Sequence, residues 1–271
     1  MGKTNLHSYQ KLVLGTLFVM MLAPGGFAQS LDYPQRHAPA RHLAERPPLT
    51  FEVDNDVAHP RVLITNLHSE PLTACLYETA SPSGGENAKT VTYDVLISLG
   101  LLSAIPRGLT LVSQLRSAEG QPVPDARLVA AVWQDGTSYG SVEALSHIQI
   151  NRQSALAAYE GIIAILQEGE SKHWRRGQYS SELKELEKKL GTEKAKDRPE
   201  AAMAATLPIQ IVYASLMRPG KSGSGRGAAA ASPSQAELNR QVQHLSQMCA
   251  TQRDLLKQTL EQMAAALAKK P

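Results

Sequence analysis

Gly136-Thr137-Ser138-Tyr139-Gly140 is the stretch of this 271-residue chain in which residue type, spacing and local context together suggest catalysis. A Gly-x-Ser-x-Gly turn between a strand and a helix is how one class of hydrolase presents a serine nucleophile, with an acid and then a histidine following in the chain. The pattern here does fall between a predicted strand, Arg127 to Trp133, and a predicted helix from Ser141. His173 and His244 are available downstream, although neither follows a strand at a recognisable turn. That hydrolase fold also needs parallel βαβ units before the serine, and the upstream sequence reads as short antiparallel strands. Ser138 is therefore kept as a candidate beside a simpler expectation. In that reading Asp135-Gly136 makes a tight turn and Gly140-Ser141 opens the helix.

Other patterns have less context. Gly220-Lys221-Ser222 resembles the end of a phosphate-binding loop, but Ser215 stands where the first glycine belongs, and no strand leads in. Gly223-x-Gly225-x-x-Ala228 lacks both the strand and the downstream acid of a dinucleotide site, so both read as accidents of a glycine-rich linker. Asp54, Asp56, His59 and His68 lie near predicted strand ends without the spacing of a zinc or calcium loop, and turn capping is expected of them. His147 falls early on a helix. His173-Trp174-Arg175-Arg176 reads as a solvated basic helix end that complements the dipole. No metal or cofactor is expected. Cys75 and Cys249 have three outcomes open: pairing with each other, pairing between chains, or burial as free thiols. An internal bridge would close about 175 residues, for which the chain-entropy model gives roughly 5 kcal/mol.

Composition narrows the classes further. The net charge of +3 falls by two if Lys3 and Lys11 are removed with a leader, which argues against a dedicated nucleic-acid binder. With aromatic content of 5%, a carbohydrate-binding face is not expected either.

The elements that must position these residues follow from periodicity. Residues 1–28 read as a secretory signal peptide: lysines first, an apolar run from Leu12 to Ala23, then Gly26-Phe27-Ala28 for the peptidase. The expected location is periplasmic or secreted, with no stable membrane span after cleavage. Residues 29–50, rich in Pro and Arg, read as an extended linker. Residues 51–140 carry six or seven short alternating stretches separated by turn residues, which predicts an antiparallel, immunoglobulin-like β-sandwich. Leu96 to Ile105 stays open between strand and helix.

From Ser141 the period becomes helical, and residues 141–218 form a helical region. Val142, Leu145, Ile148, Arg152, Leu156, Tyr159, Ile163 and Leu166 share a face, interrupted by the polar Arg152. Residues 201–217 carry no charge; they hold Pro208 and Gln210 and suit a buried helix better than a membrane span, with a strand through Ile209 to Tyr213 as the alternative. A Gly/Ser/Ala linker, 219–233, leads to one long helix over 234–271. Its seam of Leu238, Val242, Leu245, Cys249, Gln252, Leu256, Leu260, Met263 and Leu267 is coiled-coil-like with one discontinuity and must find an apolar partner. That partner is one of the chain's own helices, a second copy, or another protein.

Val62-Leu-Ile-Thr-Asn66 followed by Pro71-Leu-Thr-Ala74 resembles a strand-turn-strand of uncharacterised secreted bacterial proteins. Ala130 to Gly140 resembles the end of the same module. The resemblance covers roughly residues 51–166. It implies a β-module followed by a helix, with no assigned activity and no catalytic residues to carry over. The chain is thus expected to be an α+β exported protein with a non-enzymatic binding or scaffolding role, its partner captured through Leu238, Val242, Leu245, Leu256, Leu260, Met263 and Leu267. A serine hydrolase using Ser138 and a self-associating envelope protein are the alternatives.

Overall fold

The computed structural model describes residues 42–43, 46–54, 61–79, 89–99, 104–114, 126–195, 198–217 and 234–268. The expected signal peptide, the 219–233 linker, Asp56 and His59 lie outside the described residues. The fold is mixed α+β, with two sheets in the N-terminal half followed by four helices. The strands are β1 (His42–Leu43), β2 (Leu49–Asp54), β3 (Arg61–Asn66), β4 (Leu72–Thr79), β5 (Lys89–Asp94), β6 (Thr110–Gln114), β7 (Ala126–Trp133) and β8 (Ser138–Gly140). One sheet has the order β2-β3-β6 and the other β1-β8-β7-β4-β5. All pairings are antiparallel except the two-residue β1–β8 pair. The strands β2 to β7 coincide with the alternating stretches of the sequence. β1 and β8 are too short to show a period, and β1 with the start of β2 corrects the expectation of a linker over all of 29–50.

Alternation along β4 and β7 explains the layering. Cys75 and Tyr77, with Ala131 and Trp133, face Leu49, Val62 and Ile64 of the other sheet. Ala74 and Leu76, with Ala130 and Val132, face the opposite way, onto Ala144, Leu145, Ile148 and Met263 of the helices. β4 is thus buried on both sides, as expected of a strand whose residues are nearly all apolar or small. Of the segment left open in the sequence, residues 96–99 form a turn. Val95, Leu96, Ile97 and Leu99 leave β5 and insert into the helical core.

The helices are α1 (Val142–Ser171), α2 (Arg176–Ala195), α3 (Pro199–Met217) and α4 (Gln235–Ala268). Ser141 caps α1, its hydroxyl accepting from the Ala144 amide at 3.2 Å, with Glu143 in the first turn. α1 is central, so its buried face widens beyond the predicted stripe to include Ala155, Ala158 and Ile162. Gly161 meets Leu186 and Gly169 meets Tyr179, which sets α1 antiparallel to α2. Glu187 bonds Gln210 and Lys184 lies over Tyr213, which sets α2 antiparallel to α3. Lys257 pairs with Glu160 and Gln243 with Glu170, which sets α4 antiparallel to α1.

This packing places the two most apolar helical stretches. α3 is long and apolar enough to cross a membrane by length and composition. In the fold its Ala201, Ala204, Ala205, Pro208, Ile209, Val212 and Leu216 are buried, and the helix runs through Pro208. The seam of α4 is covered from within the chain: Leu238, Val242, Leu245, Cys249, Leu256 and Met263 are buried, and Leu260 and Leu267 half-buried. The first five of these buried residues join the helical core, while Met263 and Leu267 lie against the sheet.

Candidate functional site

The polar cluster at the centre of the molecule forms where the larger sheet meets α1 and α4. Asp94 ends β5, and its Oδ1 accepts from the Leu96 amide at 3.0 Å, which starts the turn into the helical core. Its Oδ2 accepts from Arg152 Nε at 2.7 Å. Arg152 Nη2 also donates to Thr73 Oγ1 at 3.0 Å, and that hydroxyl donates to the Val132 carbonyl at 3.0 Å. Arg152 Nη1 lies 3.6 Å from the Met263 sulfur. The Arg152 side chain is 0% exposed and that of Asp94 1%. Burial pushes the Asp94 carboxyl above the usual carboxylate range, and Arg152 and the Leu96 amide pull it part of the way back. The interruption in the apolar face of α1 was visible in the sequence; its partners, 58 and 79 residues earlier, were not. The arrangement ties β4, β5, α1 and α4 together. Closed to solvent and saturated by its own partners, it has no position for a reacting molecule.

Ser138 does not sit on a nucleophile elbow. It lies within β8, opposite Val132 of β7, with 1% exposure and no hydrogen-bond partner for its Oγ. The left-handed backbone falls on Gly136 and Gly140 instead, at φ 81° and 121°. A Cβ on Gly140 would press into the Val129 carbonyl oxygen. The glycines therefore serve the turn and the close approach of β8 to β7. His173 follows the far end of α1, which rises about 45 Å over its 30 residues. His244 lies beside that same end, next to the Gln243–Glu170 bond. Neither histidine can reach Ser138.

Cys75 and Cys249 are free and buried, one between the two sheets and the other among the helices, so the internal bridge is not formed. Burial pushes both thiols up to about 12, with Asp94 adding to the effect at Cys75. Asp54 pairs with Arg61 at 2.8 Å. His68 Nδ1 accepts from the Glu70 amide at 3.1 Å, and its ring lies 5.2 Å from that of Trp133. The indole in turn donates to Asn66 Oδ1 at 2.9 Å. These are turn and core contacts, and no cluster of three or more metal-ligating side chains occurs among the described residues. The 173–176 stretch is not a basic helix end. His173, Trp174 and Arg175 make the turn between α1 and α2 and Arg176 opens α2, with His173 at φ 54° and Trp174 edge-on to Tyr179 at 5.5 Å.

A different feature opens to solvent. Between α3, α4 and the turn after β5 lies a cleft of about 300 Å³, lined by Leu99, Ile211, Leu245 and Met248 with Ser215, Gln241 and His244. The Gln241 side-chain amide donates to the Ser215 carbonyl and joins the two helices across it. Apolar walls with a few polar groups at the rim are the usual composition of a binding site. Sequence reasoning missed the cleft because its lining comes from three segments far apart in the chain.

No family model matches the chain, and neither the curated proteins nor the solved structures contain a match to it.

Proposed function

We propose that this is an exported, non-enzymatic binding or scaffolding protein of the cell envelope, working in the periplasm or outside the cell. The lysines, apolar run and Gly26-Phe27-Ala28 of the N-terminal stretch support export. An immunoglobulin-like module is supported by the strand order. Taking β2 to β8 as A, B, C, C′, E, F and G, the sheets read A-B-E and C′-C-F-G. A coiled-coil-like pairing of α4 with α1 is supported by the apolar seam and the flanking Lys257–Glu160 pair.

The observation that carries the binding reading is the cleft, where the half-buried Ile211 and Met248 lie beside Ser215, Gln241 and His244. An apolar side chain of a partner protein fits it in size and character. Because the seam itself is core, Glu at Leu245 or Leu256 would unfold the chain rather than report on a partner. The test is a photo-crosslinking residue in place of Met248, in cells that make the full chain. A single adduct with one partner is expected, absent when the same residue replaces the solvent-facing Glu185 of α2. Adducts of equal yield and pattern from both positions would overturn the reading.

A further inference from the structure

Among the described residues, the β6 edge of the smaller sheet carries neither the charges nor the prolines that normally keep edge strands from pairing. β6 pairs with β3, and among the described residues no strand pairs with its other edge. Its residues, Thr110-Leu-Val-Ser-Gln114, include no charge, no proline and no glycine. The opposite edge of the same sheet is different: β2 carries Glu52 and Asp54. Charged edges discourage strand addition, and a neutral β-forming edge invites it.

The face of β6 is fixed. Leu111 points into the core between the sheets, and Ser113 Oγ lies 2.9 Å from the Tyr77 hydroxyl. Thr110, Val112 and Gln114 therefore point outward. Val112 is 44% exposed, and Leu67 and Leu109, also exposed, lie at the same end of the sheet. Cross-strand rows on this outer face run Thr50–Thr65–Thr110, Glu52–Leu63–Val112 and Asp54–Arg61–Gln114.

We infer that β6 is a self-pairing edge, taking the β6 of a second copy of this chain in an antiparallel register centred on Val112. The strand is complementary to itself in that register. Val112 meets Val112 of the second copy, and Thr110 meets Gln114. Each apolar row is extended by its own image, Leu63–Val112–Val112–Leu63. No like charges face each other across the junction, and the product is a continuous six-stranded sheet, β2-β3-β6-β6-β3-β2. The inference stands on the sheet and not on the helical cleft, so the failure of either leaves the other in place.

The test is sedimentation velocity on the chain expressed in full, at concentrations from about 1 to 100 μM, with Val112→Lys beside the natural sequence. Val112 is an outward position, and the far-UV spectrum shows whether the variant keeps its fold. A concentration-dependent dimer is expected, and Val112→Lys should raise its Kd about tenfold or more by setting two ammonium groups opposite each other. Val112→Cys provides a second readout that does not depend on the lysine variant. Paired Cβ atoms in that register lie within disulfide reach, so a crosslinked dimer is expected on mild oxidation, with Leu109→Cys far less reactive. A monomer throughout the range, a dimer unaffected by Val112→Lys, or equal crosslinking of the two cysteine variants would each overturn the inference.

Discussion

Breaking the Asp94–Arg152 pair from its two ends should have different consequences. Asp94→Asn leaves a guanidinium, which stays charged at any accessible pH, buried with no counter-charge at 0% exposure. The expected cost is about 3–5 kcal/mol. Arg152→Met leaves a carboxyl, which can take up a proton. Burial already raises the Asp94 pKa in the intact protein, and removing Arg152 takes away the largest opposing influence, so it rises further. A folded-state pKa above the unfolded value means that the folded state binds the extra proton. Stability from that group is then fully present below the unfolded carboxylate pKa and is lost as pH rises. The clean comparison is Arg152→Met against the double variant Asp94→Asn/Arg152→Met, which differ only in the carboxyl. The gap between them should widen from pH 5 to pH 7, with Arg152→Met losing ground to the double variant by at most about 1.36 kcal/mol per pH unit. Urea unfolding at the two pH values measures it. A gap that stays constant would show that the carboxylate finds solvent or another cation, and the account of a sealed pair would be wrong. The double variant should also be more stable than Asp94→Asn alone, because an apolar core tolerates two neutral groups better than one stranded charge.

Other perturbations have equally definite outcomes. Thr73→Val removes an acceptor for Arg152 and a donor to the Val132 carbonyl, and should lower stability by about 1–3 kcal/mol in urea unfolding. Gly169→Ala should lower the melting temperature despite alanine's better helix propensity, because its Cβ presses into the Tyr179 ring, which is itself packed under Trp174. Cys75 and Cys249, held protonated by burial, should resist a disulfide reagent at pH 8 in the native protein, and both should react in denaturant. Fast labelling of either thiol without unfolding would contradict the packing described.

Strands β3 and β6 of the smaller sheet were legible because one face of each is more buried than the other, so Arg61 to Asn66 and Thr110 to Gln114 alternate in the sequence as they do in the sheet. The 95–99 turn was not legible. Its apolar run serves the helical core rather than either sheet, and a short apolar run has no period that distinguishes a strand from a turn plugged into helices. α1 was read as an amphipathic stripe and is a central helix, since a sequence shows apolar positions but not how many neighbours cover them. Arg152 announced a buried partner without naming it. The Gly-x-Ser-x-Gly pattern misdirected because glycine has two uses: in a nucleophile elbow it relieves strain around the serine, while here Gly140 lets one strand approach another.

The antiparallel lie of α4 along α1 has a consequence for the order in which the molecule is completed. Ala74, Leu76, Ala130 and Val132 of the sheet are covered partly by Met263, and the helical core is completed by residues between Leu238 and Leu256. A chain made from its N-terminus can close the space between the two sheets once β8 exists, but the sheet's helical face and much of α1 stay wet until residue 263 has been synthesised. Partly made chains therefore expose two large apolar surfaces at once, the condition under which nascent proteins aggregate or recruit chaperones. Final closure depends on a contact between segments more than a hundred residues apart, which makes it a slow, late and cooperative step. Under the export proposed above, that delay would leave the polypeptide open for its passage across a membrane.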